Sequence, residues 1–182
     1  MKDHVPARVA APRASSTARV RRARPTDAAT WWSLQRGIYD EGAWFVGDGP
    51  PSEGSLAARL RSLDQTRAGV WFAVVGDQVA GWCEVSRLTA ARLDHVAVLT
   101  LAVAASYRRR GCGEALLVTA EEWARQVGVR KLSLSVRGGN EAAQALYERS
   151  GFVLEGVERD HIRTGATFED NRIMAKYVAE GA

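Results

Sequence analysis

The strongest constraint on the fold is a turn between a strand and a helix, SYRRRGCGEALL at residues 106–117. The apolar run DHVAVLTLAVAA precedes this turn, and apolar residues at helical spacing follow it from about Gly113 to Gln126. The first N–H groups of such a helix have no acceptors within the helix, and the helix dipole adds partial positive charge there. Gly111 and Gly113 let a ligand come close to the main chain. The turn therefore predicts an anion site suited to a diphosphate, with an ordinary solvated basic turn as the alternative.

Two familiar phosphate-binding loops do not match this turn. The P-loop requires the pattern GxxxxGK[ST], which the sequence does not contain. The dinucleotide-binding pattern GxGxxG requires a third glycine, and Leu116 stands at that position. If the turn binds a phosphate group, it therefore belongs to a different class of site.

The elements around the turn predict the fold class. A short strand and two helices come first, and a hairpin around Gly76 and Asp77 follows them. After the turn, the chain predicts the strand VRKLSLSVR, the helix NEAAQALYERSGF and two closing strands. This order predicts a mixed sheet with helices on both faces.

Basic charge is concentrated at the N-terminus. Residues 1–24 hold seven Lys and Arg side chains against one Asp, whereas the whole chain has a net charge of +4. We interpret residues 1–18 as a flexible basic tail, residues 19–178 as one domain and residues 179–182 as a short tail. A nucleic-acid-binding arm is the alternative, but we expect neither nucleic acid nor a membrane as a partner.

The cysteines and histidines exclude two further classes of protein. Cys83 and Cys112 are too few for a disulfide framework, which favours a cytoplasmic protein. The three histidines have no metal-ligand spacing, so we expect no metal site.

Two segments of the sequence carry a resemblance to a known family. LAVAASYRRRGCGEALL resembles the acetyl-CoA-binding motif of the GCN5-related N-acetyltransferase (GNAT) superfamily, in which [Q/R]-x-x-G-x-[G/A] joins a strand to a helix. Arg108, Gly111 and Gly113 occupy its defining positions. LSLSVRGGNEAAQALYERSGF resembles a later part of the family pattern, in which a strand leads to Asn, a short helix, Tyr and Gly-Phe. The resemblance covers about residues 19–178, with Ala105 and Arg109 where the family often has Pro and Gly.

The resemblance implies a fold and a cofactor. The fold is α/β (α+β), with a mixed, mostly antiparallel central sheet of about seven strands, helices on both faces and splayed central strands. Acetyl-CoA is the implied cosubstrate, and its diphosphate lies on the turn while its pantetheine arm pairs with a strand edge. The implied contacts are Leu101, Ala102, Val103, Arg108, Arg109, Arg110, Gly111, Cys112, Gly113, Glu114, Asn140 and Tyr147. We expect Cys112 to pack in the core rather than act as a nucleophile, and Asn140 to cap a helix, bind the cofactor or do both.

The resemblance also implies an acid and a base. Tyr147 is the expected general acid for the departing sulfur, with packing against the sheet as its alternative role. Several relatives place a glutamate on a central strand where this chain has Ser135. We therefore expect a water chain that ends on Glu84 or His95, although a single strand histidine is commonly structural.

The amine site is expected between the N-terminal helices, their loop and the closing hairpin. Aromatic side chains and carboxylates there suit a cationic amine, and they equally suit helix packing. The candidates are Trp31, Trp32, Tyr39, Asp40, Glu41, Trp44, Phe45 and Asp170.

The implied activity is transfer of an acetyl group from acetyl-CoA to a primary amine of a small molecule, by direct attack in a ternary complex. Protein N-terminal acetylation of the ribosomal-protein type is the enzymatic alternative. A non-catalytic acyl-CoA-binding regulatory module is the alternative from another class. Homodimers are frequent in the family, and the sequence leaves the assembly state open.

Overall fold

The computed structural model describes residues 18–178, so the predicted tails at 1–18 and 179–182 lie outside the described residues, except for residue 18. The first half contains strand β1 (Arg19–Arg22), helices α1 (Ala28–Tyr39) and α2 (Glu53–Arg61), and strands β2 (Ala68–Val75), β3 (Gln78–Arg87) and β4 (Val96–Val103). The second half contains helix α3 (Cys112–Gln126), strand β5 (Lys131–Arg137), helix α4 (Glu141–Arg149), and strands β6 (Val153–Thr164) and β7 (Thr167–Tyr177). No helix within residues 18–178 combines the length and the apolar character that crossing a bilayer requires.

The strands form one sheet in the order β1-β2-β3-β4-β5-β7-β6. β4 and β5 pair in parallel, and every other neighbouring pair is antiparallel. The predicted fold class, a mixed and mostly antiparallel sheet of seven strands, is therefore confirmed.

Helices cover both faces of this sheet, and strand β2 shows why its sequence is a continuous apolar run. Trp71 and Ala73 belong to a core on the α3 face, whereas Val70 and Phe72 belong to a second core that contains Trp31 of α1. Successive side chains of a strand point to opposite faces, so a strand with both faces covered is apolar throughout.

The parallel pairing of β4 with β5 stops after three residue pairs, which are Val96 with Lys131, Ala97 with Leu132, and Val98 with Ser133. Beyond these pairs β4 continues against β3, and β5 continues against β7. The two strands therefore separate, and each keeps one edge without a neighbouring strand. The predicted splay of the central strands is confirmed.

Candidate active site

The separation of β4 from β5 opens a cleft with a volume of about 1040 Å³. Its walls come from residues 98–103 of β4, residues 107–109 and 111–114 around the glycine turn, residues 135–137 of β5, helix α4, and residues 44–46 after α1. The cleft brings together most of the predicted cofactor residues: Leu101, Ala102, Val103, Arg108, Arg109, Gly111, Cys112, Gly113, Glu114, Asn140 and Tyr147. Arg110 is the exception, because its guanidinium lies over the ring of Tyr107, 5.6 Å from the centroid.

Gly111 and Gly113 require glycine for different structural reasons. Gly111 precedes α3 with a φ of 79°, a left-handed conformation that favours glycine, and open space surrounds the position of its missing Cβ. Gly113 has no unusual φ, but a Cβ there would lie 2.7 Å from Cδ2 of Leu146. The sequence predicts that both glycines let a ligand approach the main chain. The structure shows that the missing side chain of Gly113 also leaves room for Leu146 of α4.

Arg109 adopts a φ of 61°, which is uncommon for a residue with a side chain. A left-handed conformation at this position explains why glycine suits the corresponding position of the family motif. The two left-handed residues, Arg109 and Gly111, turn the chain sharply into α3. The side chain of Arg109 is exposed and lines the cleft.

Arg108 is bound by other residues of this chain. Its Nε donates to the main-chain oxygen of Val103 at 2.9 Å, and Nη2 donates to both carboxylate oxygens of Glu41 at 2.7 and 2.6 Å. The guanidinium also lies over the ring of Trp44, 5.3 Å from its centroid. The predicted cofactor residue therefore contacts the segment that follows α1.

Helix α4 places two predicted residues on the cleft wall. The side-chain oxygen of Asn140 accepts a hydrogen bond from the N–H of Ala143 at 3.2 Å, so Asn140 caps the helix. Tyr147 is buried, and its ring lies 5.8 Å from that of Phe152. Within residues 18–178 no group forms a hydrogen bond with the Tyr147 hydroxyl, and burial raises the pKa of this phenol well above its usual range.

Cys112 begins α3 and is fully buried. Burial raises the pKa of its thiol, and this effect exceeds the opposing influence of the helix start and of Arg110. A buried thiol with a raised pKa holds little thiolate near neutral pH. The expected role of Cys112 as a packing residue agrees with this burial.

The structure separates the two base candidates. Glu84 lies on β3 directly opposite Thr100, which lines the cleft, and Arg59 Nε donates to the Glu84 carboxylate at 2.8 Å. His95 is exposed and precedes β4 at the end where β4 and β5 still pair. The structure therefore places Glu84 beside the cleft and does not bring His95 to it. Among the described residues that line the cleft, the one carboxylate is Glu114, at the start of α3.

The predicted amine-site residues are divided among several places. Trp44 and Phe45 line the cleft, whereas Trp31 lies in the core. Asp170 forms an ion pair with Arg159 at 3.2 Å. A smaller hollow outside the cleft contains Trp32, Tyr39 and Asp40.

The cleft also contains residues that the sequence analysis did not name as site residues, among them Val46, Arg137, Ile162 and Asn171. Arg137 and Asn171 are direct partners across β5 and β7, and Asn171 Nδ2 donates to Glu158 at 2.6 Å. The register of β7 against β5 determines this pair. The sequence does not show that register, because the two strands are far apart in the chain and no short turn joins them.

The sequence model of the Acetyltransferase (GNAT) family matches residues 31–152. The chain belongs to this family. It is 39% identical over 88 residues to the [ribosomal protein bS18]-alanine N-acetyltransferase of Escherichia coli K12, a match that covers 48% of this chain and 60% of that enzyme. This chain thus spans less than two thirds of the length of that relative. It is also 34% identical over 136 residues to the N-alpha-acetyltransferase RimI of Mycobacterium tuberculosis, which covers 75% of this chain and 82% of the relative.

The fold also resembles a solved structure with a bound cofactor. The structure of YncA, a putative acetyltransferase from Salmonella typhimurium with its cofactor acetyl-CoA, has a TM-score of 0.83 and 17% identity. That match covers 92% of this chain and 97% of the other. The family match confirms the family that the sequence resemblance predicted, and this likeness confirms the fold.

Proposed function

We propose that this protein is an N-acetyltransferase that uses acetyl-CoA and transfers the acetyl group directly to an amine. The single observation that carries this proposal is the cleft between β4 and β5, which has the first N–H groups of α3 at one end and the Tyr147 phenol on its wall. Acetyl-CoA, when bound, supplies an acetyl thioester. Membership of the family and the acetyl-CoA in the related fold support the same conclusion.

The residues at the glycine turn fit the cofactor. The first N–H groups of α3, from Cys112 to Glu114, face the turn without acceptors in the helix, and the helix dipole favours a diphosphate there. The free edge of β4 from Leu101 to Val103 offers main-chain donors and acceptors to an extended amide-containing arm. The capped position of Asn140 leaves its side-chain N–H groups available to the same arm.

Tyr147 fits the role of proton donor. A departing thiolate requires a proton or a hydrogen-bond donor, and the phenol lines the cleft with no competing partner within residues 18–178. Since burial raises the pKa of Tyr147, its hydroxyl stays protonated throughout the neutral range. The side chain that we expected to act as the acid therefore retains its proton where the reaction needs it.

We place the base at Glu84, acting through water. Directly opposed antiparallel residues have Cβ atoms roughly 5 Å apart, so the Glu84 carboxylate lies one side chain away from Thr100 at the cleft wall. Arg59 holds one carboxylate oxygen and leaves the other available. A water bridge from that oxygen to the amine gives its proton a path away from the site.

We propose the α-amine of a protein N-terminus as the acceptor. The Escherichia coli relative is named for acetylation of an alanine of a ribosomal protein, and the Mycobacterium tuberculosis relative is named an N-alpha-acetyltransferase. Phe45, Val46 and Ile162 give the cleft an apolar lining suited to the first side chains of a peptide. Strongly polycationic amines fit less well, because the described lining has no carboxylate at this end. A small-molecule amine, the acceptor expected from the sequence, is the second candidate, since the aromatic faces of Trp44 and Phe45 suit a single ammonium group.

The test is thiol release from acetyl-CoA with two panels of acceptors, short peptides with free N-termini and small primary amines. We expect release with peptides and acetylation of their α-amines, detected by mass spectrometry. Thiol release with small amines alone would show that the acceptor is a small-molecule amine. Binding of acetyl-CoA without release in either panel would instead support the non-catalytic module. The cytoplasmic location stays a prediction, and the assembly state stays open.

A further inference from the structure

Three side chains connect the glycine turn to the segment after α1. These two parts of the cleft are far apart in the sequence. Arg108 begins the family motif, while Glu41 and Trp44 lie 67 and 64 positions earlier, directly after α1. Arg108 donates to both oxygens of Glu41, and Trp44 Nε1 donates to one of those oxygens at 2.5 Å. The Arg108 guanidinium also covers the Trp44 ring. We call Glu41, Trp44 and Arg108 the clamp.

The clamp engages Nε and Nη2 of Arg108, which are two of the three guanidinium nitrogens that could contact a diphosphate. Nη2 of the guanidinium faces the carboxylate of Glu41, and Nε faces the main-chain oxygen of Val103. One face of the planar guanidinium lies against the Trp44 ring. The carboxylate also neutralises the positive charge locally. An arginine that is paired in this way adds little attraction for a second anion.

The contacts of the clamp reach three walls of the same cleft. Val103 is the last residue of the β4 edge, Arg108 lies in the glycine turn, and Trp44 begins the wall that Phe45 and Val46 continue. The clamp therefore fixes the segment after α1 against the two elements that would hold the cofactor. This segment carries the apolar side chains at the proposed acceptor end.

We propose that Arg108 is a positioning residue for the acceptor, and that the clamp couples the acceptor wall to the cofactor turn. This inference rests on the proposed function, because it assigns the two ends of the cleft to two substrates. It gives Arg108 a role different from the direct cofactor contact that we expected from the motif. Coupling of this kind is reciprocal, so occupancy of the turn also orders the acceptor wall.

A competing account gives the clamp the opposite effect. If Glu41 only restrains Arg108, then removing the Glu41 charge frees the guanidinium to bind the diphosphate, and the cofactor binds more tightly. If the clamp positions the acceptor wall, the same change weakens acceptor binding and leaves cofactor binding nearly unchanged. The substitution Glu41→Gln, which keeps the size of the side chain, separates the two accounts.

The control is an arginine with the same kinds of contact outside the cleft. Arg36 also pairs with a carboxylate, that of Asp40 at 3.1 Å, and its guanidinium lies 6.0 Å from the Trp32 ring centroid. Its side chain is 56% exposed, against 34% for Arg108. Arg36→Gln therefore removes a comparable charge and ion pair without touching the cleft wall.

The experiment compares wild type, Glu41→Gln, Arg108→Gln, the double variant and Arg36→Gln. We expect the KM for the peptide to rise about 10-fold in both single clamp variants, the order expected for one hydrogen bond to a charged group. The double variant is no worse than either single one, because both remove the same contact. For Glu41→Gln, kcat and the calorimetric Kd for CoA stay within about twofold of wild type, whereas a loss of folded protein would lower kcat at constant KM. Arg36→Gln matches wild type.

A second readout does not depend on turnover. CoA should slow amide hydrogen exchange in residues 40–50 of the wild type and of Arg36→Gln, and this protection should be lost in Glu41→Gln. Tighter CoA binding by Glu41→Gln would overturn the proposal. A CoA affinity at least 10-fold weaker in Arg108→Gln, with an unchanged peptide KM, would also overturn it. If wild type binds CoA but acetylates no amine, the proposed function fails and hydrogen exchange still decides the clamp. If wild type does not bind CoA, both fail together.

Discussion

The two ends of the cleft are built in different ways. The cofactor end consists mainly of main-chain groups from one contiguous stretch, with the edge of β4, the left-handed turn at Arg109 and Gly111, and the first turn of α3. The acceptor end consists of side chains from the segment after α1, from β5 and from the closing hairpin. A site built from main-chain groups requires particular backbone conformations. Those conformations favour glycine and helix-start residues at fixed positions, so the sequence shows a local pattern. A side-chain site requires only that distant residues meet, which leaves no local pattern.

Removing the Tyr147 hydroxyl should have the largest effect on the reaction. General acid catalysis contributes roughly 10²–10⁴-fold, so Tyr147→Phe should lower kcat by about 10²–10³-fold with little change in the Kd for acetyl-CoA. The measurement is steady-state thiol release together with calorimetry. Tyr177→Phe is the control, because Tyr177 is 64% exposed at the end of β7. An active Tyr147→Phe variant would show that this phenol only packs.

A side chain at Gly111 should damage the cofactor end alone. A non-glycine residue in the left-handed conformation costs about 1–2 kcal/mol, so Gly111→Val should lower the free energy of unfolding by that amount. We also expect about a 10-fold higher KM for acetyl-CoA, since the N–H groups of the turn shift.

The matched control for this variant is Gly76→Val, because Gly76 has a φ of 59° in the turn between β2 and β3, outside the cleft lining. Chemical denaturation should show a similar loss of stability for both variants. The KM for acetyl-CoA should change only for Gly111→Val. Equal KM values for both variants would show that the conformation at Gly111 does not serve binding.

Truncating Phe45 should affect the acceptor end alone. Its ring stacks on Tyr39 at a centroid distance of 4.7 Å and lines the cleft. Loss of an apolar contact in a binding pocket is worth about 1–3 kcal/mol, so Phe45→Ala should raise the peptide KM about 10-fold and leave the KM for acetyl-CoA unchanged. Phe168→Ala, at a site 59% exposed on β7, should change neither constant. A rise in both constants for Phe45→Ala would show that the Phe45 side chain also contributes to cofactor binding.

The smallest effect should come from Arg109→Gly. Glycine relieves the left-handed strain at this position but gains freedom in the unfolded chain, so we expect the free energy of unfolding to rise by at most about 1 kcal/mol. Thermal or chemical denaturation measures it, with wild type as reference. A loss of more than that amount would mean that the Arg109 side chain makes stabilising contacts.

The local structure around the glycine turn and helix α4 could be predicted from the sequence for a physical reason. The start of α3, the cap at Asn140 and the glycine turn are local, and each imposes its own residue types. The same local patterns gave the elements of the sheet, and the family resemblance supplied the splay. The sequence could not show that Gly113 also accommodates Leu146, because that contact joins two separate helices.

The acceptor end could not be predicted in the same way. Glu41 reaches Arg108 across 67 positions, and the aromatic residues near it divide among the core, the cleft and a separate hollow. Asn171 lines the cleft because β7 pairs with β5 in one register out of several. Whether His95 lies near the cleft depends on which end of β4 faces it. The short pairing of β4 with β5 determines that end, and the sequence does not show this pairing.

The central claim is that both substrates occupy one cleft at the same time and react directly. The measurement is a matrix of initial rates in which acetyl-CoA and the peptide amine are both varied. The account predicts double-reciprocal lines that intersect, which indicates a ternary complex, in agreement with the buried and poorly ionised thiol of Cys112. Parallel lines, together with a covalently acetylated protein, would contradict it.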